Sequence, residues 1–546
     1  MRTLTNRVGF AACVLGLLIA SAAAQTAEPQ RLRVTTRLVE VNVLAESKNG
    51  DPAVGLTRED FLLFDEGRPQ EIEFFSAEKL KPPAPPKPLP PNIFTNRLEY
   101  LAGPVNSATV ILFDGLNTPL TDQAYARQQI IKFLKEITPE DRVALYVMGR
   151  GPRVLQDFTS DSAALLKGLA DYKAAPVASL EAPLYDPGVS GADHFDTWLG
   201  ELSFNLYSHF ARDRAYRTVR ALIAIAQHLE RLPGRKNLIW VSGSFPIWIG
   251  DNSVPLPRKA AGRDPVWPEI ERAARAFNRS NLAIYPVDAR GLMAPQEYRA
   301  DRAEAVRDSL AADQAIFSTM RTLAERTGGR AFYQNNDLRA AMRKAADDAR
   351  LTYTLAYRPS HGRWDGKFRE IKIQVKREGT ELRYRRGYFA QPDEPGESWY
   401  RKGILDAAMW SPMEATRLGL TVRVSSAGAN SLSLAVQVDP NELACRPDGN
   451  VWECGMDIWL VQLDGRELHI NTVARTSTMR LEQPTYLKAM EARGLVFMEK
   501  LDASPKAKLV RLLLRDVSSG ALGSVTIPIQ RFLATAGKDA GSSTGR

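Results

Sequence analysis

Residues that carry chemistry are scarce in this sequence. Its 546 residues include three cysteines and five histidines. The histidines (His194, His209, His228, His361 and His469) form no His-Glu-x-x-His motif and no pair with metal-ligand spacing, which removes the familiar zinc hydrolases. Neither a Gly-x-Ser-x-Gly elbow nor a P-loop occurs. Gly149-Arg-Gly151 is half of a dinucleotide fingerprint, but Val154 stands where the third glycine belongs and a strand pattern follows. Charge of a single sign is lacking as well. Lysine and arginine number 72 against 63 acidic residues, a net +9 with both signs interspersed, which speaks for solubility and against a nucleic-acid partner. Past Ala24 no stretch of about 18 apolar residues occurs, so no transmembrane span is expected in the mature chain.

The first 24 residues read as a Sec-type signal peptide. Arg2 and Arg7 supply a positive start, Val8 to Ala20 an apolar stretch too short for a span, and Ala22-Ala-Ala24 the small residues for cleavage before Gln25. Cys13 lies inside the apolar stretch, not at its end, so no lipid anchor is expected. Cleavage takes the net charge from +9 to +7 and leaves two cysteines, Cys445 and Cys454. They bracket Arg-Pro-Asp-Gly-Asn, a turn-rich segment. In a secreted or periplasmic chain this favours a disulfide across a hairpin; two independent buried thiols are the alternative.

The length calls for several domains. Residues 30–78 alternate with period two and predict an N-terminal β domain, with Thr57 and Asp60 at capping-box spacing. Residues 79–100 form a proline-rich linker, an extended spacer or a docking peptide. From about 105 to 350 strands alternate with helices, which predicts a doubly wound, Rossmann-like α/β domain. Its strands include Thr109–Phe113, Arg142–Met148, Arg153–Phe158, Asn237–Val241, Leu282–Val287 and Arg330–Tyr333, with Thr121 and Asp161 as helix caps. An irregular stretch, 174–208, carries Tyr185, Phe195, Trp198, Phe204 and Tyr207 and reads as a lid or a part of a binding rim. A β extension follows at 351–392, with a basic run Leu382-Arg-Tyr-Arg-Arg386 that is either a solvated strand face or a contact for an anionic surface. Residues 400–535 predict a C-terminal β-sandwich-like domain, and 536–546 a disordered tail.

The chain is organised around Ala108-Thr-Val-Ile-Leu-Phe-Asp-Gly-Leu-Asn-Thr118. This is an apolar run for a buried parallel strand, broken by Asp114 and followed by oxygen-bearing side chains. Ligands of open α/β sheets bind at the carboxyl ends of the strands. The candidate site residues therefore lie at strand ends. Asp114, Asn117 and Thr118 are candidate metal ligands, and Ser242, Ser244 and Asp288 are candidate rim residues. The alternatives are turn and helix caps, with a salt bridge or turn role for Asp288.

Five segments together resemble the VWFA-related family of secreted bacterial proteins, built on a von Willebrand factor type A domain. They are Val41-Asn-Val with Gly55-Leu-Thr-Arg-Glu-Asp-Phe61, Phe113–Thr118, Arg235-Lys-Asn-Leu-Ile-Trp-Val-Ser-Gly243, Tyr285-Pro-Val-Asp-Ala-Arg-Gly291, and Thr327-Gly-Gly-Arg330. The resemblance covers Leu32 to Phe389. It implies a protein-interaction, adhesion-type function and a Mg²⁺ or other divalent-cation site of the pattern Asp-x-Ser-x-Ser, with a further Thr and Asp on neighbouring loops. Here Asp114 and Thr118 match the first and last positions. Leu116 replaces the first serine, and Ser242-Gly-Ser244 stands where the second aspartate belongs, with Thr159 and Asp161 as candidate substitute ligands, so the implied site is degenerate. The expected partner is a protein of the cell envelope or exterior. An enzyme, such as a hydrolase without a recognisable motif, and a metal-free structural envelope component are the alternatives.

Overall fold

The computed structural model describes residues 38–79, 89–100, 108–149, 151–173, 213–245, 267–292, 303–390 and 405–533, apart from 99, 406, 407 and 429. The segment expected to be a signal peptide, the 174–208 stretch, most of the proline-rich run and the tail lie outside the described residues.

The chain begins with β1 (Val39–Ser47), β2 (Phe61–Asp65), β3 (Arg68–Gln70) and β4 (Ile72–Lys79). Short β5 (Ile93–Thr95) precedes the α/β region, which holds β6 (Ala108–Asp114), β7 (Val143–Met148), β8 (Pro152–Thr159), β9 (Lys236–Ser242) and β10 (Leu282–Asp288). Its helices are α1 (Leu120–Leu134), α2 (Ser162–Asp171), α3 (213–229), α4 (Trp267–Ser280), α5 (Ala303–Thr327) and α6 (Leu338–Asp347). Then come β11 (Leu351–Tyr357), β12 (Phe368–Val375), β13 (Thr380–Arg383) and β14 (Gly387–Phe389). The C-terminal part runs from β15 (Leu420–Ser426) and β16 (Ser431–Val438) through β17 (Arg446–Asp448), β18 (Val451–Leu463) and β19 (His469–Glu482). It ends with β20 (Leu495–Asp502), β21 (Leu509–Asp516) and β22 (Leu522–Pro528).

The α/β sheet has the order β10-β9-β6-β7-β8. β10, β9, β6 and β7 are parallel, and their residues are buried without exception, which is why they read as unbroken apolar runs. Alternate residues feed two cores. Val110, Leu112, Tyr146, Leu238, Trp240 and Ile284 pack on one face with Val219, Leu222 and Phe277 from α3 and α4. Ile111, Phe113, Leu145, Val241 and Tyr285 pack on the other with Ile130, Phe133 and Met342 from α1 and α6. This is the expected doubly wound layout.

Two elements depart from the sequence reading. β8 runs antiparallel to β7, because the three residues between Met148 and Pro152 are too few for the crossover a parallel pair needs. The strand expected at 330–333 shrinks to one bridge, Phe332 with Val287; Gln334 at φ +52° turns the chain away.

The β segments before and after the α/β domain form one unit. β1 and β4 both pair with β11, and β2 pairs with β12, giving two four-stranded sheets, β13-β1-β11-β4 and β14-β12-β2-β3. Their shared core holds Val41, Val43, Phe61, Leu63, Tyr353, Leu355 and Ile373. Motifs at the amino-terminal end of the α/β sheet lock that end together, and one of them reaches the sandwich. Arg235 donates to Tyr285 Oη at 3.0 Å and to the Gly328 carbonyl at 2.5 Å. Thr327 Oγ1 accepts the Ile284 amide at 2.9 Å. Gly329 is obligatory, since a Cβ there would lie 1.9 Å from the Ile284 carbonyl oxygen. Arg330 reaches Glu46 at 2.7 Å.

The C-terminal domain is the expected sandwich of two sheets, β20-β16-β15-β5 and β17-β18-β21-β22 with β19 on β18, around a core of Val422, Leu434, Val436, Ile458, Leu512 and Val525. Part of the linker belongs to it: β5 pairs with β15, and Asn96 Nδ2 donates to the carbonyls of Ala415 and Leu418. Cys445 and Cys454 form a disulfide across the β17–β18 turn.

Candidate functional site

Asp114 ends β6 at the carboxyl edge of the parallel strands and is fully buried. Its carboxylate is a hydrogen-bond hub. Oδ1 accepts the backbone amides of Leu116 at 3.0 Å and Asn117 at 2.9 Å. Oδ2 accepts the Asn117 side-chain amide at 2.8 Å, the Trp240 indole at 2.9 Å and the Ser242 hydroxyl at 2.9 Å. Trp240 and Ser242 come from β9, two residues apart, so the pleat aims both at β6's last residue. Burial pushes the Asp114 carboxyl up to about 6, although the Asn117, Trp240 and Ser242 hydrogen bonds pull the other way.

The surrounding loop is tied as tightly. Asn117 Nδ2 also donates to Thr218 Oγ1 of α3 at 2.8 Å. Thr118 Oγ1, buried, accepts the Gly243 amide at 2.9 Å. Gln123 of α1 donates to the carbonyls of Thr118 at 2.7 Å and Gly115 at 3.3 Å. Ser242 Oγ lies 2.6 Å from the Ser244 carbonyl as well; with one proton it serves that oxygen or Asp114, not both at once. α1 starts at Leu120 after Pro119 with no side-chain cap, so Thr121 does not cap it.

Asp114, Asn117, Thr118, Ser242 and Ser244 are thus brought together. Asp161 is not. Because β8 is antiparallel, its last residue, Thr159, pairs with Val143 at the start of β7, while Asp114 pairs with Met148 at the end. The length of β7, roughly 17 Å at about 3.3 Å per residue, separates the two edges. Asp161 instead caps α2, accepting the Ala163 amide at 2.8 Å. Asp288 ends β10 on the same edge as Asp114 and has the salt-bridge role: Arg290 binds both its oxygens, at 3.0 and 2.9 Å, and reaches Asp313 at 2.6 Å.

The residues at Asp114 do not fit a divalent cation. Both carboxylate oxygens face N–H donors, and an indole N–H can only donate. A cation there would meet the positive ends of those dipoles. Leu116, fully buried, offers no side-chain oxygen. Sequence reasoning missed Trp240, Thr218 and Gln123. Trp240 reads as a core residue of its strand, and Thr218 and Gln123 did not stand out from their helices.

The carboxyl edge also exposes apolar side chains. Leu120, just after the β6 loop, is 57% exposed, and Leu292, after β10, 61%. Among the described residues no helix is long and apolar enough to cross a membrane.

No family model matches the chain, and no curated protein does. Among solved structures, an aerotolerance-related membrane protein from Bacteroides fragilis aligns with 44% of this chain and 99% of its own, at 13% identity and a TM-score of 0.24. The vWF domain of the type V pili tip protein Mfa5 from Porphyromonas gingivalis aligns with 45% of this chain and 95% of its own, at 12% identity and a TM-score of 0.26. A von Willebrand factor type A structure from Catenulispora acidiphila aligns with 84% of this chain and 72% of its own, at 9% identity and a TM-score of 0.23. Scores this low argue for no shared function. The likeness rests on this chain's own doubly wound sheet and on where its motifs sit, and by these the central domain is similar to von Willebrand factor type A domains.

Proposed function

We propose that this is an exported, non-enzymatic interaction protein whose α/β domain binds a protein ligand on the carboxyl edge of its sheet, without a metal ion. The observation that carries this reading is the Asp114 hub. It spends a buried carboxylate on holding the β6 and β9 loops in one conformation, and a preorganised loop surface loses less freedom on binding. Leu120 and Leu292 flank that surface as apolar contacts, and the Asp288–Arg290–Asp313 ion pairs brace the loop after β10. The signal-like start of the sequence and the Cys445–Cys454 disulfide support an oxidising compartment, secreted or periplasmic.

The test is site-specific photo-crosslinking in the exporting cell. A photoreactive residue at Leu120 or Leu292 is expected to give a discrete protein adduct, and one at Lys135, at the opposite end of α1, none. Equal labelling from all three positions, or none from the carboxyl edge, refutes the reading.

A further inference from the structure

β19 is an edge strand of 14 residues, far longer than most strands. It pairs with β18 along one side, and among the described residues no strand lies on its other side. Alternate residues of an antiparallel strand turn their N–H and C=O groups away from the paired neighbour. A row of donors and acceptors therefore faces outward along roughly 45 Å, at about 3.3 Å per residue. Val473, Ala474, Arg475 and Thr476 are exposed in succession, so the middle of the strand is open on both faces as well.

Such edges are usually blunted by proline, by lysine or by short length. His469–Glu482 contains no proline, glycine or lysine, and the irregularity in its pairing falls at its first residue, opposite Leu463. The charge that the strand turns toward the sandwich interior, Arg475, is neutralised by buried Glu499 of β20. It does not repel an incoming strand as an uncompensated inward charge does.

The strand also complements itself. A second copy laid antiparallel against it, about a two-fold axis at Thr476, pairs the two strands from Ile470 to Glu482. Val473 then lies opposite Met479, both on the core side of the sheet, where their β18 partners are Leu460 and Cys454. Arg475 meets Ser477, and Thr472 meets Arg480, so no like charges oppose each other. Moving the axis to Arg475 sets the two guanidinium groups face to face, and moving it to Ser477 shortens the pairing. A contact of this length, roughly 20 Å deep across two sheets about 10 Å apart, covers on the order of 900 Å² per copy. A stable interface needs about 800 Å² per partner.

We propose that the protein forms a two-fold dimer in which β19 of one copy adds to β19 of the other, joining two C-terminal sandwiches through a continuous sheet. This surface belongs to the C-terminal domain and does not depend on what binds at the carboxyl edge of the α/β sheet.

Sedimentation velocity of the full mature chain, between about 1 and 100 µM, is expected to show a reversible monomer–dimer equilibrium. T472R sets like charges opposite each other at two symmetry-related places and should raise the dissociation constant several-fold to about tenfold, with an unchanged thermal melt. Adding R480E makes both pairs opposite in charge and should restore the dimer, which damage to the fold would not allow. T476C places two thiols on the axis and should give a disulfide-linked dimer on mild oxidation. V496C, 59% exposed on the outer face of β20, should not. A chain that stays monomeric across this range overturns the proposal and leaves the edge to a strand of another protein. A dimer indifferent to T472R, or one that T476C links no better than V496C, overturns it as well, because it forms through another surface.

Discussion

Replacing Asp114 with alanine should destabilise the α/β domain by an amount that changes with pH. Five donors lose their acceptor, but two have another: Asn117 Nδ2 keeps Thr218, and Ser242 keeps the Ser244 carbonyl. The amides of Leu116 and Asn117 and the indole of Trp240 are stranded, at about 1–3 kcal/mol each, or about 6 kcal/mol in all. Against this, the variant no longer buries a charge. The folded carboxyl sits at about 6 against an ordinary 3.8, and that difference of about two pH units corresponds to about 3 kcal/mol at neutral pH. The net loss is about 3 kcal/mol at pH 7. The sign with pH follows from linkage. A carboxyl whose folded pKa is raised binds protons more tightly folded than unfolded, so its contribution is greatest below about pH 4 and is lost as the pH rises to about 6. The wild type therefore gains relative to the variant on acidification, and the difference between them should grow to about 5 kcal/mol at pH 4.5. Urea unfolding at both pH values, with hydrogen exchange followed on the peptide covering β6 and its loop, gives both numbers. A difference below about 1 kcal/mol at both pH values, or one that shrinks on acidification, would refute the hub.

Two further outcomes are expected. Reducing Cys445–Cys454 opens a loop with a sequence separation of 9 and should destabilise the C-terminal sandwich by about 3 kcal/mol on the chain-entropy estimate, seen as a lower melting temperature with reductant; an unchanged melt contradicts it. In the amino-terminal sandwich, buried Asp65 accepts the hydroxyls of Tyr357 and Tyr388, each at 2.9 Å, and Tyr388 Oη lies 2.8 Å from His361 Nε2. Asp65→Ala strands the Tyr357 hydroxyl, while Tyr388 keeps His361, and should cost about 1–3 kcal/mol, read as faster hydrogen exchange in residues 358–366; unchanged exchange there would show that the network does not hold that loop.

The parallel strands were legible because burial on both faces leaves an unbroken apolar run, and Asp114 stood out by interrupting one. The glycine pair after Thr327 was legible as a motif, and the contact of Gly329 with Ile284 supplies its reason. Asp161 was misplaced for want of one inference: the short link from Met148 to Pro152 dictates an antiparallel β8, which carries the next loop to the far edge. Less was available for the amino-terminal sandwich. Nothing local in Val39–Ser47 says that its partner is Leu351–Tyr357, some 300 residues on, since alternation fixes which face is buried and not which strand lies alongside. The same limit hid β5, a three-residue strand within the linker. Trp240 reads as core from its strand, and its indole hydrogen bond to Asp114 depends on a register that sequence pattern does not give.

The central claim is that Asp114 organises the binding edge through hydrogen bonds and not through a cation. Calorimetric titration of the mature protein with Mg²⁺ and Mn²⁺, beside Asp114→Ala, tests it most directly. No binding heat is expected from either protein. Saturable heat in the wild type that disappears in Asp114→Ala would contradict it.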